Sequence, residues 1–122
     1  MTKQTDNLLS GTLSPEEREK RLLSTAGFAA RAGKIVPGAE LICEHLRKGE
    51  ILLVFEAADT SDNTHKRLSD KTSFYGVRLV RLSVSGERLA TAFGKKGGKL
   101  AAVGITDSGI LRAIEKYLPE QA

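Results

Sequence analysis

Cysteine, methionine and tryptophan are almost missing from this 122-residue chain: it has one Cys, one Met and no Trp, and aromatic residues make up 5% of it. A lone Cys43 cannot form an internal disulfide, and nothing points to an oxidising compartment. The only histidines are His45 and His65, with Cys43 two residues from His45 on a different side of a helix. That falls short of the converging ligands a zinc site needs, so no metal is expected. No apolar run approaches the roughly 18 to 20 residues of a membrane helix. The opening MTKQTDNLLSG holds no apolar stretch of signal-peptide length, so a cytoplasmic location without membrane contact is expected.

Motifs of catalysis are also lacking. A phosphate-binding P-loop needs four residues between its glycines and a hydroxyl after its lysine. Gly27 and Gly33 enclose five residues, and Ile35 follows Lys34; Gly94 and Gly98 enclose three, and Leu100 follows Lys99. Ser61-Asp62-Asn63 has no Ser-x-x-Lys to supply a nucleophile and its base. Asp59 is the one carboxylate at a strand end, a place that often carries chemistry. The Asp59-Thr60-Ser61 turn offers it the simpler task of capping the next helix. No catalytic residue and no cofactor are expected, and the chain is not read as an enzyme.

What the sequence does have is an uneven charge. The net is +4, yet residues 60–100 carry nine basic side chains against three acidic ones, and the segments on either side are each at −1. Such a concentration fits a polyanion such as RNA. A solvated basic face that only serves solubility would look the same.

Residues 1–13 are polar and aperiodic and are expected to form a disordered tail ahead of one domain over residues 14–120. Ser14-Pro15-Glu16-Glu17 has the form of a capping box with proline at the first helical position. Leu22, Ala26, Ala29 and Gly33 follow on one helical face. Ile35-Val36 predicts no more than a strand stub. Pro37-Gly38 restarts a helix through Leu41, Ile42, His45 and Leu46, and Gly49 stops it. Residues 51–58 (ILLVFEAA) read as a strand buried on both faces. An exposed helix over 61–75 follows, with Leu68 and Phe74 as its apolar points. Residues 77–82 form a second strand with Arg78 and Arg81 reaching water, and Ser85 opens a short helix through Phe93. Residues 100–106 are a further strand, and Asp107 caps a last helix that turns Ile110, Ala113, Ile114, Tyr117 and Leu118 inward. This alternation predicts a sheet with helices on both faces, an α/β/α sandwich.

Two segments stand out as anion sites. Gly33-Lys34-Ile35-Val36-Pro37-Gly38 runs into a helix start, where free amides can meet a phosphate. Gly94-Lys95-Lys96-Gly97-Gly98-Lys99 joins a helix to a strand with three lysines on supple backbone. Each could also be an ordinary surface turn. In a mixed sheet, both could fall at one end of it.

The first of these segments, with Leu46-Arg47-Lys48-Gly49 and Leu53-Val54-Phe55-Glu56-Ala57-Ala58-Asp59, resembles the kink-turn-binding ribosomal protein family of the L-seven-Ae and L-thirty-e type. Asn63-Thr64-His65-Lys66-Arg67-Leu68 and Leu89-Ala90-Thr91-Ala92-Phe93-Gly94-Lys95 are similar to its bacterial YlxQ-like branch. The resemblance spans about residues 20–118. It implies a four-stranded mixed sheet between helical layers and an RNA ligand, ribosomal or otherwise structured, with ribosomal proteins as further partners of a monomer. It also implies where RNA is held: Gly38 to Glu44, Asp59 to Asp62, and Phe93 to Lys99. The expected contact residues are therefore Gly33, Lys34, Pro37, Gly38, Glu40, Asp59, Phe93, Lys95, Lys96 and Lys99. The family's Gly-x-Asn-Glu signature, with a lysine one turn later, reads here as Gly38, Glu40, Leu41 and Glu44. Ionised glutamate only accepts hydrogen bonds where asparagine also donates, and it repels phosphate. RNA binding is expected without strict kink-turn specificity. A protein-interaction module on the same fold is the alternative.

Overall fold

Four of the five helices among the described residues begin where a side chain takes up an otherwise unpaired first-turn amide. The computed structural model describes residues 13–95 and 97–119. Ser14 accepts from Glu17 N ahead of α1 (Pro15–Arg31), and Ser61 accepts from Thr64 N ahead of α3 (Asp62–Phe74). Ser85 accepts from Arg88 N ahead of α4 (Gly86–Ala92), and Asp107 accepts from Ile110 N ahead of α5 (Ser108–Ile114). Each such cap is worth about 1 kcal/mol. Only α2 (Ala39–Arg47) starts without one, behind Gly38 at φ +94°. A 3₁₀ turn, Glu115–Tyr117, follows α5.

The strands are β1 (Ile35–Pro37), β2 (Leu53–Glu56), β3 (Arg78–Arg81) and β4 (Ala102–Ile105), in the order β1-β4-β2-β3. β4 is antiparallel to both neighbours, and β2 is parallel to β3. Three strands thus run one way and β4 runs against them. One end of the sheet therefore gathers the chain as it leaves β1, β2 and β3 and as it enters β4.

Alternate strand residues point to opposite layers. Leu53, Phe55, Val80, Val103 and Ile105 join Leu22, Ala26 and Ala29 of α1, Leu89 of α4 and Ile114 of α5. Val36, Val54 and Ala102 join Ile42 and Leu46 of α2 and Leu68 of α3. This is the three-layer α/β/α sandwich around a four-stranded mixed sheet.

Several local expectations are corrected. β2, β3 and β4 are four residues each, shorter than the apolar runs that contain them, although Leu52 N, Ala57 N and Leu82 N still donate across the sheet to Ile105 O, Ala101 O and Glu56 O. Leu41 is exposed, since Ile42 and Leu46 hold the inward face of α2. Phe74 is 79% exposed and sets its ring edge-on to Tyr75, while Tyr75 takes the half-buried place. Ala113 is exposed and Leu111 packs against the core instead. Arg78 is half-buried and donates to the Pro119 carbonyl rather than reaching water freely. Of the expected tail, residues 1–12 lie outside the described residues and Leu13 is buried.

Candidate nucleic-acid interface

At the gathering end of the sheet the connections are knotted by short hydrogen bonds. Gly38 N donates to Ala102 O at 2.9 Å, Ala57 N to Ala101 O at 2.8 Å, and Ala58 N to Val84 O at 2.8 Å. Thr60 Oγ1 donates to both Ala57 O and Ala101 O, and Arg81 donates to Ala58 O at 3.0 Å. At the centre stands Gly86: its carbonyl accepts from Leu100 N at 2.9 Å, and its amide donates to Asp59 Oδ1 at 2.8 Å. The other Asp59 oxygen lies 3.8 Å from Lys99 Nζ. Asp59 thus serves the start of α4, not the cap of α3 expected for it, because Ser61 is already placed for that role.

Gly86 leaves no room for a side chain. A Cβ there would lie 2.9 Å from Leu100 O, a backbone atom with little freedom to move. Gly86→Ala is expected to cost about 1–3 kcal/mol, the range for overpacking. Urea unfolding measures it, and a change below about 0.5 kcal/mol, the usual surface value, would show that the knot is loose.

The expected contact residues are only partly brought together. Pro37, Phe93 and Lys95 line one open cavity of about 410 Å³ with Ala30, Arg31, Ile35 and Gly94. Gly38 sits at the same end, with Glu40 exposed one residue into α2. Lys95 and Lys99 are exposed, and Lys96 lies outside the described residues. Phe93 is only 2% exposed, so it anchors the loop in the core more than it presents a surface. Gly33 and Lys34 are separated from Gly38. The stretch expected to be one loop is a helix end, an edge strand and a helix start. Its amides are not free: Gly33 N donates to Ala30 O, Lys34 N to Ala29 O, and Gly38 N to β4. The unpaired amides begin beyond Gly38, in the uncapped first turn of α2, at the positive end of its dipole.

Sequence reasoning missed one pair. Glu56 is wholly buried at the end of β2, and both its carboxyl oxygens lie 2.8 Å from His65 Nδ1 on α3. A charged residue inside an apolar run was the available signal, since a buried carboxyl group must have a partner. Among the described residues no three His, Cys, Asp or Glu side chains are placed to hold a metal ion, and no helix is long and apolar enough to cross a membrane.

Residues 20–114 match the model of the Ribosomal protein L7Ae/L30e/S12e/Gadd45 family. The chain belongs to that family. It is 31% identical over 103 residues to the RNA-binding protein YlxQ of Enterococcus faecium, covering 84% of this chain and 96% of that protein. To the RNA-binding protein YlxQ of Bacillus subtilis it is 35% identical over 92 residues, covering 75% and 89%. These relatives place it in the YlxQ-like branch. A solved Bacillus halodurans protein of unknown function superposes with a TM-score of 0.73 at 28% identity, covering 81% of this chain and 97% of that one. The Giardia lamblia 15.5kD RNA binding protein has the same fold, with a TM-score of 0.70 at 21% identity over 87% and 88% of the two chains.

The start of α2 is acidic and carries an outward-facing leucine. Glu40, Leu41 and Glu44 are all turned toward solvent there, with Leu41 45% exposed. Two carboxylates one turn apart thus flank an apolar side chain beside Gly38. Glu40 suits the helix dipole in the first turn, and the two carboxylates together set negative charge beside the uncapped helix start.

Proposed function

We propose that this chain is a non-catalytic RNA-binding protein of the cytoplasm, a monomer that holds structured RNA, ribosomal RNA first, at the gathering end of the sheet. The observation that supports this reading is the uncapped start of α2 behind Gly38, with Lys99 3.8 Å from Asp59 and Lys95 lining one cavity with Pro37. Lysines of this kind give affinity through phosphate with little sequence information, while the helix start orients the ligand. The relatives' name, RNA-binding protein YlxQ, supports the same class of ligand. Gly38, Pro37, Glu40 and Asp59 shape the surface, Phe93 anchors it, and Lys95, Lys96 and Lys99 supply the charge. The outward-facing Glu40, Leu41 and Glu44 favour one second reading, a protein partner docked on α2.

Binding to total ribosomal RNA tests the proposal. Affinity should fall by orders of magnitude as salt rises from about 50 to 200 mM, as phosphate-dominated binding does. No binding at the lower salt would overturn it. A standard kink turn should be bound weakly, and Glu40→Asn, Leu41→Glu, Glu44→Lys together should tighten it by about a hundredfold or more, at about 1 kcal/mol or more per restored interaction. Nanomolar kink-turn binding by the unaltered chain would contradict the role given to these side chains.

A further inference from the structure

Away from the knot, between α1 and α4, runs an open groove of about 810 Å³ whose only charged lining residues, among the described ones, are Lys20, Arg31 and Arg88. None of the three joins an ion pair among the described residues. The two helices approach closely at Gly27, where a Cβ would lie 3.0 Å from Ala92 O, so the floor is built of small residues. On the wall stands Phe28, 57% exposed on the side of α1 turned from the buried Leu22, Ala26 and Ala29. The Arg31 guanidinium lies 5.3 Å from its ring centroid. The groove runs into the cavity beside Lys95, with which it shares Ala30, Arg31 and Gly94.

Nothing in the core requires an exposed phenylalanine beside three cations that lack a carboxylate partner among the described residues. Together they match a nucleotide: an aromatic face for a base, a guanidinium to extend the stack, and further cations for phosphates. The lack of any carboxylate among the described lining residues favours a polyanion over a protein of mixed charge. We propose that this groove takes a single-stranded stretch of the RNA held at the gathering end of the sheet. One base stacks on Phe28, and the flanking phosphates meet Lys20, Arg31 and Arg88. The inference rests on the RNA-binding reading and extends its footprint across α1.

The test compares the unaltered chain with Phe28→Ala and with Lys20→Gln/Arg88→Gln, all surface changes. Total ribosomal RNA and a fluorescent oligouridine of about ten nucleotides serve as probes, a length within the usual single-strand site size. Phe28→Ala should weaken oligouridine binding by about tenfold, the loss expected of one base stack. Lys20→Gln/Arg88→Gln should flatten the slope of log affinity against log salt by roughly 1.4, about 0.7 for each single-strand phosphate neutralised. Unchanged oligouridine affinity and slope in both variants, with ribosomal RNA still bound, would overturn the groove and leave the RNA-binding reading standing. Failure of the unaltered chain to bind either RNA would overturn both. A polyglutamate peptide whose binding is lost in these variants while oligouridine binding is unaffected would overturn the proposal in favour of an acidic protein partner.

Discussion

Replacing Lys95, Lys96 and Lys99 together with Gln is expected to weaken binding to ribosomal RNA by about one to two orders of magnitude near physiological salt, whatever the RNA sequence. The dependence of log affinity on log salt should flatten by about two to three units, roughly one for each phosphate that is no longer neutralised. A large effect is expected because Lys99 lies beside Asp59 and Lys95 lines a cavity with Pro37, next to the start of α2. Lys99 has a nearby carboxylate in Asp59, but at 3.8 Å and with 69% of its side chain exposed that pair is easily given up to a phosphate. Stability should change little, since an exposed ion pair is worth about 0–1 kcal/mol. Filter binding across a salt series, with a thermal melt of the same sample, measures both quantities. An unchanged slope would make the loop a bystander, and a large fall in melting temperature would make it structural.

His65→Ala should have the largest effect on stability, about 2–4 kcal/mol, because it strands the Glu56 carboxyl group inside the protein. Breaking such a pair costs far more than the pair contributes, so replacing both members should recover most of the loss. Glu56→Leu combined with His65→Leu is therefore expected to approach the stability of the unaltered chain in urea unfolding. A single His65→Ala change of less than about 0.5 kcal/mol, an ordinary surface value, would show that the carboxyl group finds water or another partner. The pair joins α3 to the end of β2, so it also holds the turn that carries Asp59.

The order of elements is legible in the sequence because each signal is local: a capping serine, a helical stripe, an apolar run. Ser14, Ser85 and Asp107 cap as their sequences suggest, while Ser61 takes the cap expected of Asp59. Burial of β2 on both faces follows from an apolar run between turns. What cannot be read locally is where the loops meet. Pairing β1 with β4 turns Gly33 and Lys34 away from Gly38, and no short-range pattern encodes a partner almost seventy residues on. The same holds for Gly86, which reads as an ordinary helix start and proves to be the point where three connections cross. Phe93 borders a basic loop, which suggests a surface residue, yet its ring fills the core beneath α1 and β4. Leu41 and Phe28 show the converse, apolar side chains exposed on helices whose inward faces are already complete.

Photo-crosslinking of the protein to RNA in cells, with the linked residues located by mass spectrometry and the RNA sequenced, tests the central claim most directly. Crosslinks are expected at residues 38–44 and 93–99 and along α1 at Phe28, and the attached reads should be rich in structured ribosomal RNA. Crosslinks confined to the opposite end of the sheet, around Gly49 and Thr106, or a protein that yields no crosslinked RNA at all, would contradict it.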